Sequence, residues 1–108
     1  IWKTALDQKR PYLCLSDAVL AFEHSITNNV NNKQIYNVLT ENSTPRLICQ
    51  SIKEVLGEFE IEFVDSRIMN QLTYEVSSQK FEDTNFKFLS SLKNAISETV
   101  NFLGHKSF

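Results

Sequence analysis

Glycine, proline and cysteine are all scarce in this 108-residue chain, which contains two of each. The glycines stand at positions 57 and 104, so neither a GxxxxGK[ST] nor a GxGxxG phosphate-binding loop can form. So little glycine and proline also argues against a disordered chain. Cys14 and Cys49 form no CxxC pair. Two free thiols in a reducing cytoplasm are expected, and a disulfide between them stays open as the alternative.

The chain also lacks a marked excess of either charge and any long apolar run. Its 11 Lys and Arg against 13 Asp and Glu give a net charge of -2, and the cations are scattered. No basic face for nucleic acid is therefore predicted. No apolar run approaches the roughly 18 residues of a membrane-spanning helix, and no secretory signal is recognised. A hydrophobic fraction of 42% with eight Phe suffices for the core of one domain over residues 1–108.

Catalytic and metal-binding patterns are missing too. His24 and His105 have no Cys or acidic neighbour at metal-ligand spacing, so no metal site is predicted. The row of Glu58, Glu60 and Glu62 alternates with apolar residues, which indicates the solvated face of a strand rather than an acid–base pair. No nucleophile is marked by a strained strand-to-helix turn.

The hydrophobic periodicity predicts a small mixed α/β fold with about three main strands and three to four helices. Strands are predicted at 12–15, 34–39 and 58–66. The opening residues 2–8 look like the end of a helix that starts upstream, which indicates a fragment of a longer protein. An unpaired edge of the 34–39 strand would favour self-association.

Local signals also predict where helices begin and end. Ser16 or Asp17 is a candidate N-cap for the first helix. Pro45 suits the first position of the next helix, which Gly57 would end. Ser43 or Thr44 is predicted to cap the second helix, and Ser77 or Ser78 to begin a brief third helix. Asn85 is predicted to adopt the left-handed conformation. The final helix is predicted to start after Ser90 or Ser91 and to end at Gly104.

Four segments in chain order resemble the extended short-chain dehydrogenase/reductases that act on nucleotide sugars. RPYLCLSDAVLAFEHSI (10–26) is similar to their Arg-x-[Tyr/Phe]…Asp…Ala segment, and IYNVLTENSTPRLICQSIKE (35–54) to their YNV strand and helix. DSRIMNQLTYEVSSQKFEDTNFKF (65–88) is similar to their Arg-x-Gly-Asp loop and the stretch after it, and the last helix to their closing helix. The ordered matches cover nearly the whole chain.

The resemblance implies the C-terminal substrate-binding part of an NAD-dependent nucleotide-sugar epimerase or dehydratase. In such enzymes NAD and the catalytic Tyr-x-x-x-Lys pair belong to an N-terminal Rossmann domain. No tyrosine of this chain has lysine four positions later. The resemblance therefore implies a fragment of a Rossmann-type enzyme that binds a nucleotide-diphosphate sugar in the cytoplasm and does not catalyse by itself.

The same resemblance assigns roles to individual residues. Arg10 and Arg67 match arginines that contact the nucleotide diphosphate, whereas their spacing alone favours two ordinary surface arginines. Asp17 matches an aspartate that we assign to the strand-to-helix turn. Asn70 stands where the family usually has Asp, which weakens its expected contact with the ribose or base. The alternative interpretation is a free-standing α/β binding or protein-interaction module without enzymatic activity.

Overall fold

The computed structural model describes residues 1–30, 33–65 and 73–104. Over these ranges the fold is mixed α/β, with four helices and one two-stranded antiparallel sheet. No helix among them is long and apolar enough to cross a lipid bilayer. In chain order the elements are β1 (Arg10–Tyr12), α1 (Leu15–Thr27), β2 (Glu41–Ser43), α2 (Pro45–Leu56), α3 (Gln79–Glu82) and α4 (Leu92–Gly104).

The first strand lies two residues earlier than predicted and leads almost directly into α1. β1 pairs with β2 so that Arg10 lies opposite Ser43 and Tyr12 opposite Glu41. The prediction of a strand at 12–15 is therefore wrong in its position. The N–H of Cys14, which precedes α1, is bonded to the Thr40 side chain at 2.9 Å instead of to a neighbouring strand.

Residues 34–39 were predicted as a strand, but no described strand pairs with them and they do not form one. Side chains hold this segment in place of a β-ladder. Lys80 Nζ donates to Gln34 Oε1 and to the carbonyl of Ile35, both at 3.0 Å. Tyr36 packs edge-on against Phe81 at 5.6 Å between ring centroids. The self-association predicted for residues 34–39 required an unpaired strand edge, and these residues form no strand.

The third predicted strand, 58–66, is described up to residue 65, and residues 58–65 make a single bridge. The predicted helical tail at 2–8 is a run of turns. The two segments lie side by side, because Val64 N donates to Ile1 O at 2.8 Å and Lys3 N to Val64 O at 3.0 Å. Trp2 and Val64 make the one parallel bridge. The carbonyl of Ile1 and the N–H of Lys3 are thus bonded to Val64, and a regular helix does not form at these residues.

Helix boundaries agree better with the sequence. Thr44 caps α2 by accepting from the N–H of Leu47 at 3.3 Å, and Pro45 is the first helical residue. Gly57 follows α2 at φ 88°, in the left-handed region that glycine tolerates. Ser91 Oγ accepts from the N–H of Asn94 at 3.2 Å at the start of α4. These predictions are confirmed.

The core is small and aromatic. Phe81 on α3 and Phe86 lie 4.9 Å apart between ring centroids, and Ala21 on α1 packs against them. Neither α2 nor α4 contains a buried residue. These two helices pack against each other, and Lys93 and Glu54 join them by an ion pair of 2.7 Å. Among the described helices, α1 and α3 therefore contribute buried side chains to the core, and α2 and α4 do not.

Candidate functional site

Arg10 occupies the first position of β1 and its guanidinium is held in a defined orientation. The guanidinium carbon lies 4.8 Å from the centre of the Tyr74 ring, which is a cation–π distance. Nη1 donates to the carbonyl of Lys9 at 2.8 Å and Nη2 to Gln8 Oε1 at 3.3 Å. The residue is half-buried. The ring contact and the two hydrogen bonds therefore fix the orientation of a planar cation, which is the kind of group that makes bidentate contacts with oxyanions.

The segment that supplies Tyr74 is attached to the residue before Arg10. Lys9 N donates to Thr73 Oγ1 at 2.8 Å, and Tyr74 N donates to Lys9 O at 3.2 Å. The Lys9 ammonium pairs with Glu75 at 2.6 Å. Three contacts of different kinds thus tie residues 73–75 to the start of β1.

Asn42 on β2 extends this attachment by one more residue. Its Nδ2 donates to Val76 O at 2.8 Å, and its Oδ1 accepts from Val76 N at 3.0 Å. The side-chain amide therefore reproduces the pair of hydrogen bonds that a neighbouring strand would make. Residues 73–76 are in this way positioned against both strands of the sheet.

Two of the predicted ligand contacts, Arg67 and Asn70, lie outside the described residues. The described residues on either side of them are both anchored to the first ten residues of the chain. Asp65 pairs with Lys3 at 3.1 Å, and Tyr74 stacks on Arg10.

Asp17 has no solvent exposure and is not placed to contact a ligand. Its Oδ1 accepts from the backbone N–H of Leu89 at 3.0 Å and of Ser90 at 3.2 Å. Its Oδ2 accepts from the Thr40 hydroxyl at 2.8 Å. Thr40 Oγ1 in turn accepts from the N–H of Cys14. Asp17 is the third residue of α1, so the prediction that Ser16 or Asp17 is the N-cap is wrong. Asp17 instead fixes the strand-to-helix turn through its contact with Thr40.

His24 is a half-buried residue of α1 whose ring nitrogens both have hydrogen-bond partners. The Thr84 hydroxyl donates to Phe81 O at 2.6 Å, so its oxygen accepts from His24 Nε2 at 2.9 Å. Nδ1 then accepts from the Asn28 amide at 3.1 Å. The imidazole packs against Phe81 and Phe86 at 5.7 and 5.2 Å between ring centroids. Both nitrogens are occupied, so His24 is not available as a ligand.

No metal site is found in the described ranges, where no three His, Cys, Asp or Glu side chains converge. Cys14 is buried, Cys49 is half-buried on α2, and both thiols are free. A cavity of about 260 Å³ lies between β2, α2 and the start of α4. Glu41 and Lys93 line it, whereas neither Arg10 nor Asp17 does.

Near the Arg10 region, Asp7 and Arg46 form an exposed bidentate ion pair with distances of 2.7 and 3.0 Å. The hydrogen bonds from Arg46 lower the pKa of the Asp7 carboxyl, and the Arg46 charge adds to this effect. The pair joins the N-terminal turns to α2. Arg46 is consequently engaged in structure and is not a third cation for an anionic ligand.

Sequence reasoning found Arg10 but missed Tyr74 and Lys9 as its neighbours. The signal was faint, because residues 74–76 show only a short extended pattern after a polar loop. The pairing depends on contacts between residues more than 60 positions apart, such as Lys9 with Thr73. No local periodicity reports a contact at that separation.

Comparison with known proteins identifies no family model and no curated protein similar to this chain. Function is therefore inferred from the residues themselves, the motifs they resemble and the arrangement around Arg10.

Proposed function

We propose that this chain is the nucleotide-sugar-binding lobe of an NAD-dependent sugar-nucleotide epimerase or dehydratase. The observation that carries the proposal is the guanidinium of Arg10, stacked on Tyr74 at 4.8 Å where residues 73–76 return to the sheet. An arginine held on an aromatic ring at a strand end suits a bidentate contact with a diphosphate. Arg67 is proposed as the second cation, with Asn70 as a weaker contact to ribose or base.

In this proposal the lobe binds and orients the ligand, and NAD is held by a separate Rossmann domain. No residue of this chain is assigned a catalytic role. Asp17 acts as a structural residue, because its carboxylate is buried and used by Thr40, Leu89 and Ser90. We place the protein in the cytoplasm, where nucleotide sugars are available and the free Cys14 and Cys49 thiols stay reduced.

Titration of the ¹⁵N-labelled chain with UDP and dTDP, followed by NMR, tests the proposal. One half of a ligand cleft is expected to bind weakly, in the millimolar range. The diphosphates should shift the amides of Lys9, Arg10 and Tyr74, whereas uridine and thymidine, which lack the diphosphate, should not. Equal shifts from uridine, or UDP shifts confined to residues remote from Arg10, would contradict the proposal.

Variants separate the guanidinium from general positive charge. Arg10→Ala should weaken UDP binding by roughly tenfold or more, because the charge-assisted bonds are lost. Arg10→Lys should also weaken binding, because an ammonium provides neither the planar fork nor the same stacking on Tyr74. Lys87→Ala removes an exposed cation elsewhere and should leave the affinity unchanged.

The alternative, a binding or interaction module without an enzyme, is favoured by one observation. The outer face of α1 carries large apolar side chains that are exposed, among them Leu15 at 80% and Ile26 at 77%. Such a face is typical of a surface that another protein covers. Absence of any diphosphate effect in the titration would leave this interpretation as the better one.

A further inference from the structure

The outer face of α1 carries an unbroken apolar stripe. Leu15, Val19, Phe22 and Ile26 follow at spacings of four, three and four residues, and they are 80%, 58%, 72% and 77% exposed. At 100° per residue these four positions fall within an arc of about 60°. The spacing is that of the apolar seam of a two-helix coiled coil. We refer to these four residues as the α1 stripe.

The buried contacts of α1 are made by its opposite face, so the stripe is left over from the core. Asp17 and Ala21 are buried on that side, and His24 packs against the aromatic cluster. The stripe residues are absent from the core cluster and from the side chains packed against it. A helix that is apolar on two faces needs a partner on each of them.

The surface area of the chain is large enough for an interface of ordinary size. Its accessible surface is 8249 Å², against about 6,200 Å² for a compact monomer of 12.5 kDa. Its radius of gyration is 16.5 Å, against about 13 Å for a compact chain of this length. The excess of about 2,000 Å² exceeds the roughly 800 Å² that each partner buries in a standard interface.

We propose that the α1 stripe is the contact between two copies of this chain, packed antiparallel about a two-fold axis. The axis passes between Val19 and Phe22, so that Val19 lies opposite Phe22 of the partner subunit. Leu15 then lies opposite Ile26 of the partner subunit. An isologous contact of this kind is the commonest way in which identical chains associate, and opposed helix dipoles favour the antiparallel arrangement.

The flanks of the stripe on α1 itself suit a second copy because, within the helix pair, they bring no like charges together. The flanking positions are Ser16, Ala18, Glu23 and Ser25, of which only Glu23 is charged. Antiparallel packing brings Glu23 next to Ser16 of the partner subunit, which does not repel it. Ala18 and Ser25 are small and border a cavity of about 120 Å³, so the second helix can approach closely on that side.

A groove at the start of α1 has the position that this packing requires. It has a volume of about 420 Å³, and Leu15 and Phe102 line it from α1 and α4. Phe102 is 61% exposed. In the two-fold arrangement Ile26 of the partner subunit, which lies opposite Leu15, enters this groove. The contact therefore includes α4 as well as the helix pair.

Sedimentation velocity of the 108-residue chain from low to high micromolar concentration tests the proposal. The chain should change from a species of 12.5 kDa to one of twice that mass as concentration rises. Val19→Glu and Phe22→Glu should each raise the dissociation constant roughly tenfold or more, since each puts an unpaired charge into an apolar contact. A monomer at every concentration would overturn the proposal and leave the stripe to a different domain or protein.

Matched controls isolate the stripe from general surface hydrophobicity. Leu56→Glu, at 59% exposure, matches Val19→Glu, and Leu89→Glu, at 74%, matches Phe22→Glu. Neither should change association. Ile35→Glu, at 86% exposure, tests the 34–39 segment. Dissociation of the dimer by Ile35→Glu but not by Val19→Glu would also overturn the proposal.

Cross-linking gives a readout that does not depend on a destabilising charge. In a Cys49→Ser background, a mixture of Leu15→Cys and Ile26→Cys chains should form a mixed disulfide on mild oxidation. Disulfides between two Leu15→Cys chains in preference to the mixed product would indicate parallel packing and contradict the proposed axis.

Discussion

The Asp17 carboxylate and the Thr40 hydroxyl lie 2.8 Å apart, and together they join three parts of the chain that are distant in sequence. Thr40 Oγ1 also accepts from Cys14 N, and the other carboxylate oxygen accepts from the N–H groups of Leu89 and Ser90. The start of α1, the residue before β2 and the approach to α4 therefore meet at one fully buried acid.

Replacing the acid should be among the most destabilising single changes in the chain. Asp17→Ala leaves several buried donors without an acceptor, and we expect it to lower the free energy of unfolding by about 3 kcal/mol or more. Asp17→Asn should cost less, because one oxygen can still accept from Leu89 and Ser90. Urea unfolding of both variants measures the difference. Glu23→Gln on exposed α1 surface is the control, and an effect of Asp17→Ala no larger than its effect would contradict this role.

Thr40 provides an independent check on the same contact. Thr40→Val keeps the shape but removes the donor to Asp17 and the acceptor for Cys14 N, which should cost about 2 kcal/mol. Thr40→Ser retains the hydroxyl and should cost much less. Thermal unfolding compares the two. A larger loss in Thr40→Ser than in Thr40→Val would assign the stability to the methyl group rather than to the hydrogen bonds.

Asn85 adopts φ 70°, a conformation that side chains with a β-carbon disfavour and that Asn tolerates better than most. Asn85→Ala should therefore destabilise the fold by about 1 kcal/mol. Asn85→Gly should restore the stability or exceed it, because glycine adopts this conformation without steric cost. The pair is compared by chemical denaturation. Greater stability of the alanine variant would contradict the prediction.

The pair of Asp7 and Arg46 should give a small, acid-sensitive contribution to stability. Hydrogen bonds from Arg46 lower the pKa of Asp7 below its ordinary value of 3.8. A carboxyl with a lowered folded-state pKa stabilises the fold above its unfolded pKa, and the effect is lost as pH falls through the folded pKa. Asp7→Asn should be slightly less stable than the parent at pH 7 and equal to it once Asp7 is protonated. Unfolding measured at neutral pH and well below 3.8, where Asp7 is protonated in the folded state as well, checks this.

A control for the titration is Glu60→Gln, which changes an exposed acid of the 58–62 segment. The stability of that variant relative to the parent should not follow the Asp7 pH dependence. A difference between Asp7→Asn and the parent that stays constant with pH would show that the charge of Asp7 is not responsible.

Both ends of α2 and the start of α4 were predictable from this sequence because they depend on neighbouring residues, whereas the N-cap of α1 was predicted wrongly. Thr44, Pro45 and Gly57 determine the bounds of α2 through the backbone geometry of their own positions. Asn85 likewise follows from its tolerance of positive φ. Such signals act within one helical turn and need no knowledge of the rest of the fold.

Strands were predicted poorly because a strand needs a partner that the local pattern does not specify. Residues 34–39 have the composition of a strand, yet Lys80 and Phe81 contact them where a neighbouring strand would lie. Residues 58–66 show the expected alternation, yet only Val64 finds a bridging partner. Tertiary contacts thus overrode the propensity of both segments.

The candidate site was predictable only in part for the same reason. Arg10 could be selected because it stands immediately before an apolar run at Pro11, a position that marks a strand end. Its stacking on Tyr74 joins residues 64 positions apart and leaves no trace in local sequence. Asp17 was assigned to a turn, whereas its donors include backbone groups 72 and 73 positions away.

That separation also bears on how quickly the chain reaches its native state. The acid at position 17 has its donors only when residues 89 and 90 are in place, and Lys9 meets Thr73 over a similar span. Loops of this length must close before either contact forms, and proteins dominated by such contacts fold slowly. During synthesis, residues 89 and 90 must leave the ribosome before the first turn of α1 acquires all of its hydrogen-bond partners. Completion of the fold is thus expected to be late and to require residues 9–17 and 73–90 together.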